Sequence, residues 1–99
     1  VAQHLKHDAY VEVLCERIRA DYDQVYLNVP VFSKARKKRK IGEIDLLAEK
    51  DGKYDVYEVK CSFRLTKARK QLQKMKRVYP NVDNCFFFCG KSGLLTGIL

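Results

Sequence analysis

The chain has 99 residues, room for one domain spanning 1–99 and not for two. With 46% hydrophobic and 32% charged residues it has a globular composition, which argues against disorder, and no apolar run is long enough to span a bilayer. Twenty Lys and Arg against twelve Asp and Glu leave a formal charge of +8, which favours a polyanionic partner, nucleic acid before an anionic membrane surface.

The sequence opens without a signal-peptide pattern, so an intracellular protein is expected. From about Gln3 to Ala20, Tyr10, Val11, Leu14, Cys15 and Ile18 recur at helical spacing. "QVYLNVPVF" (Gln24 to Phe32) reads as a strand, with Pro30 marking an edge or a bulge. The basic run "KARKKRK" follows, then "IGEIDLLAEK" and "KYDVYEVKC", two strands around Asp51-Gly52, a strong hairpin signal. A second helix carries Leu65, Ala68, Leu72, Met75 and Tyr79 on one face and lysines and arginines on the others, and Pro80 and Asn81 stop it. "VDNCFFFCG" is a last buried strand, and the tail "KSGLLTGIL" reads equally as a strand, a turn or an interface segment. Cys15, Cys61, Cys85 and Cys89 lack the close pairs of common zinc sites and read as small buried hydrophobes. The expected order is helix, three strands, helix, strand.

If Asp51 and Gly52 are the two turn residues, Asp45 lies across from Glu58 and Glu43 across from Lys60. Alternation then puts all four on one face, with opposed Cβ atoms about 4.5–5.5 Å apart. Like charges so placed oppose folding. A charged hairpin face is ordinarily the solvated side of a sheet, yet Leu47 and Val56 share this one. A hard divalent cation resolves the conflict, because Mg2+ takes one or two carboxylates, keeps waters and accepts substrate phosphate. Lys60, one pleat along, is placed to orient an attacking water or to stabilise charge in the transition state.

Asp45 in "GEIDLL", followed by Glu58-Val59-Lys60 as E-x-K, resembles the PD-(D/E)xK nuclease superfamily, most closely its small archaeal Holliday-junction resolvases. The resemblance extends over nearly the whole chain. It implies an α/β, restriction-endonuclease-like core with a mixed sheet flanked by helices, and a Mg2+-dependent deoxyribonuclease in which Mn2+ can substitute. It assigns Asp45 and Glu58 to the metal and Lys60 to catalysis. A glutamate on the first helix completes the metal set in many members, Glu12 being preferred here over Glu16. A glutamine on the second helix is also common, Gln71 being preferred over Gln73. Ile44 stands where the eponymous motif has proline, and the clustered C-terminal cysteines of the iron–sulfur members are absent.

The resemblance further implies a homodimer acting on DNA. Within the basic run, Lys34, Arg36, Lys37, Lys38, Arg39 and Lys40 are expected to clamp the phosphate backbone, with Lys67 and Lys70 extending that surface. Few aromatics fall inside these runs, so duplex or branched DNA is expected over stacked single strands. Two alternatives stand beside an endonuclease: a repair or restriction-type nuclease acting on ends or flaps, and a catalytically silent nucleic-acid binder. Only the enzymes have a use for Asp45 opposite Glu58.

Overall fold

The computed structural model describes residues 2–78 and 81–98, so the expected roles of Tyr79 and Pro80 lie outside the described residues. Its elements are α1 (Ala2–Ile18), a short 3-10 turn (Arg19–Asp21), β1 (Gln24–Phe32), β2 (Lys40–Lys50), β3 (Lys53–Lys60), α2 (Leu65–Val78), β4 (Val82–Cys89) and β5 (Leu94–Ile98). The expected order holds, and the tail adds a fifth strand.

The strands form one mixed sheet in the order β1-β2-β3-β4-β5. The first three make an antiparallel meander. Its central turn follows from local chemistry: Asp51 and Gly52 both have positive φ, 52° and 78°, as a two-residue primed turn requires. β4 lies parallel to β3, which demands a crossover, and α2 is that crossover. β5 returns antiparallel along β4, from Leu94 opposite Cys89 to Ile98 opposite Cys85. β1 is thus an edge strand, where Pro30 costs little.

The two helices cover opposite faces, as the alternation along β3 shows. Ala68, Leu72 and Met75 of α2 pack with Val56, Cys85 and Phe87. Val11, Leu14, Cys15 and Ile18 of α1 pack with Tyr57, Val59 and Phe88. Each fully buried side chain such as Phe87 or Leu72 contributes roughly 1.5–3 kcal/mol. α1 sits close enough to the sheet that a Cβ on Gly90, just past β4, would lie 2.2 Å from the Tyr10 ring. Among the described residues no helix is long and apolar enough to cross a membrane.

The hairpin-turn end of the sheet is tied by polar groups. The Tyr22 hydroxyl donates to Asp55 Oδ2 at 2.5 Å and lies 2.6 Å from the Tyr57 hydroxyl. Burial, and then the neighbouring Asp55, raise the Tyr22 pKa. Asp55 Oδ1 accepts the backbone N–H of Asn84 at 3.1 Å, and Asp23 Oδ2 that of Asp51 at 3.0 Å.

Candidate active site at the parting of β2 and β3

The β2–β3 ladder runs from Lys50 opposite Lys53 to Leu46 opposite Tyr57, the register set by a two-residue turn. The next pair in that register is Asp45 and Glu58. There the ladder ends: β2 goes on beside β1, with Ile44 opposite Val29, while β3 goes on beside β4, with Glu58 opposite Phe87. The carboxylates therefore stand where two central strands separate.

Strict alternation along β2 does not survive this point. Ile44 belongs to the α2-side core, Leu46 to the α1-side core and Leu47 to the α2 side again. Asn28, opposite Asp45 in the β1 register, has φ 53°. Asn tolerates that left-handed conformation better than most residues. Here Asp45 is turned into the gap: its Oδ2 accepts the Val59 backbone N–H at 2.8 Å.

Both carboxylates are buried, Asp45 to 7% exposure and Glu58 to 4%. Burial is the first cause, and the hydrogen bond and charge of Asp45 the next, that push the Glu58 carboxyl up to about 9. The Lys60 ammonium and a backbone hydrogen bond at Val59 act in the opposite sense without prevailing. At neutral pH the pair thus keeps a proton on Glu58. Two ionised carboxylates this close in a dry site are too costly.

α1 contributes a group that the sequence pattern did not single out. His7 Nε2 stands 3.0 Å from the Val59 carbonyl oxygen and 3.4 Å from Asp45 Oδ2. Its signal was available: His7 lies one turn before Val11 on the buried stripe Val11-Leu14-Ile18. Glu12, the expected α1 ligand, is exposed on the outer side of that helix, and Glu16, also exposed, pairs with Arg19. Among the described residues no three His, Cys, Asp or Glu side chains converge on one point.

Lys60 ends β3 half-buried and opens onto a cleft of about 480 Å3 between β2 and α2. Lys67, Lys70, Gln71 and Lys74 line it from α2. Gln71 is half-buried, with Nε2 donating to the Glu43 carbonyl at 3.5 Å, whereas Gln73 is exposed. The Lys74 ammonium donates to the Ile41 carbonyl. Gly42 brings the β2 backbone against α2, since a Cβ there would lie 2.5 Å from the Met75 methyl.

Lys34, Arg36, Lys37, Lys38 and Arg39 occupy the exposed loop from β1 to β2, and Lys40 begins β2. The loop is closed by Ser33 N–H donating to the Arg39 carbonyl at 2.8 Å. Lys40 reaches Glu43 at 3.1 Å, next to Ile41 and Gly42 on the cleft wall. The loop leads into the strand whose Ile41 and Gly42 form one wall of the cleft.

No protein-family model matches the chain, and no curated protein matches it.

Proposed function

We propose that the chain is a metal-dependent nuclease that hydrolyses phosphodiester bonds of DNA, built on a restriction-endonuclease-like core. The observation that carries this reading is the buried Asp45–Glu58 pair, set where β2 and β3 part and flanked by Lys60 and a lysine-lined cleft. Holding two carboxylates in a core costs desolvation that the one hydrogen bond to Val59 does not offset. A bound cation does.

The donor set fits a hard divalent ion. Two carboxylates supply oxygen ligands of the kind Mg2+ takes, and that ion ordinarily fills its remaining positions with water and substrate phosphate. Asp45 and Glu58 are the residues that would hold it, in place of the proton that Glu58 now keeps. When bound, such an ion polarises the phosphate and lowers the pKa of a coordinated water. Val59 N–H fixes the Asp45 carboxylate, and His7 bridges Asp45 and the Val59 carbonyl. Lys60 stabilises charge that develops on the phosphate, and Gln71 positions the strand beside it. Lys67, Lys70 and Lys74 hold neighbouring phosphates, and the β1–β2 loop extends that grip. A homodimer, cutting two strands, belongs to the same proposal.

The experiment is cleavage of supercoiled plasmid, linear duplex and four-way-junction DNA with Mg2+ or Mn2+. Cutting is expected, with loss in Asp45→Ala and Glu58→Ala. No cutting of any substrate, or undiminished cutting by those variants, rejects the assignment.

A further inference from the structure

Phe63 is 59% exposed, in the connection between the candidate catalytic Lys60 and α2. Single exposed apolar side chains are ordinary, and Leu5 and Phe32 are others here; Phe63 is set apart by its place in a hollow with Arg64 and Lys67, at the foot of the lysine-rich helix. Nor is the ring hung on a loose segment. Its centroid lies 5.5 Å from that of Phe87 at 76°, and Phe87 is fully buried. Just before it, Gly90 N–H donates to the Lys60 carbonyl at 2.8 Å and Lys91 N–H to the Cys61 carbonyl at 2.9 Å. Just after it, Ala68 N–H donates to the Arg64 carbonyl at 3.1 Å, which starts the helix. The ring is propped by the core and tethered on both sides.

Its surroundings are basic. Phe63, Arg64 and Lys67 line a second hollow of about 480 Å3, and Lys67 also lines the cleft of Lys60, Lys70 and Lys74. The two hollows adjoin at Lys67, which lines both. Phosphate contacts alone do not distinguish paired from unpaired strands. A cationic groove with an aromatic platform does, since only an unstacked base offers its face to the ring.

We infer that Phe63 stacks on an unpaired base next to the phosphate held at Lys60 and Lys67. The substrate class of the site is then DNA with single-stranded character at the cut, such as an end, a flap or a branch, rather than uninterrupted duplex. This rests on the nuclease reading and sharpens it.

The test uses the full chain in chelator, so that nothing is cut, with fluorescently labelled single-stranded, flap and duplex DNA. Phe63→Ala is expected to weaken single-strand and flap binding about tenfold or more while leaving duplex binding unchanged. Phe63→Tyr is expected to retain binding. A 2-aminopurine at the unpaired position is expected to be quenched by the wild type and not by Phe63→Ala. Equal losses on all three DNAs, or none on the unpaired ones, overturn the inference. Wild type that binds DNA through Lys67 and Lys70 but indifferently to Phe63 rejects stacking alone. Wild type that binds no DNA at all rejects the nuclease reading with it. If sedimentation shows Phe63→Ala turning a dimer into monomers, the ring is a contact between copies and stacking is rejected.

Discussion

Asp45 Oδ2 accepts the backbone N–H of Val59 at 2.8 Å, so the carboxylate proposed to hold a metal also ties β2 to β3 where the two strands part. Asp45→Ala leaves that buried N–H without its acceptor and is expected to cost about 1–3 kcal/mol of stability. Asp45→Asn keeps an acceptor oxygen and is expected to lose much less. Both are expected to abolish cleavage. Urea unfolding of the two variants beside a cleavage assay checks this; equal stability losses would contradict the structural role.

Glu58 is expected to make the stability of the protein depend on pH when no divalent cation is present. Its folded pKa, about 9, lies above the 4.5 of a free carboxyl, so the folded chain keeps a proton that the unfolded chain releases. Stability from this group is full below about 4.5 and is lost as pH rises towards 9. Denaturant midpoints measured in chelator are expected to fall across that window. Glu58→Gln is expected to flatten the fall, and added Mg2+ to offset it at high pH by binding the folded state.

The β1–β2 loop is expected to supply affinity without specificity. Changing Lys37, Lys38 and Arg39 to Ala is expected to weaken binding of every DNA alike. Each phosphate that is no longer neutralised makes the salt dependence of log K shallower by about 0.9. Binding titrations over a salt series read the slope, and an unchanged slope assigns these residues to solvation.

Gly90→Ala is expected to destabilise the fold by about 1–3 kcal/mol, because the new Cβ overlaps the Tyr10 ring. In a Tyr10→Ala background the same substitution is expected to cost little. Thermal melts of the four proteins in that cycle measure the coupling.

What could be read from the sequence was what local chemistry determines. Asp51-Gly52 sets a primed turn by itself, so the hairpin register, and with it Asp45 next to Glu58, follows from two adjacent residues. The α2 stripe of Ala68, Leu72 and Met75 is equally local. The orientation of Asp45 was hidden, because it goes with a break of alternation on β2 opposite Asn28, whose left-handed backbone no local pattern announces. The position of His7 on the α1 stripe was legible, but which groups it meets, Asp45 and the Val59 carbonyl, depends on how α1 docks. The angle of Glu12 brought it nearer the apolar stripe than Glu16, but not near enough to face the sheet. β5 was ambiguous because a short edge strand containing Gly97 leaves little periodic signal. Phe63 was overlooked because it lies outside the basic runs in sequence and joins them only in space.

The charges also have a direction along the sheet. At the hairpin turn, Asp23 and Asp55 are engaged by backbone N–H groups, and Lys50 and Lys53 stand near Asp51 and Asp83. At the opposite end, the cations of the β1–β2 loop and Lys60, Lys67 and Lys70 outnumber Glu43, Asp45 and Glu58. If the partner is the proposed polyanion, a molecule so polarised is expected to turn as it approaches, presenting its cleft before any atoms touch. Salt is then expected to slow arrival on DNA as well as to loosen the hold, and a larger share of encounters at low ionic strength is expected to begin with the cleft facing the strand.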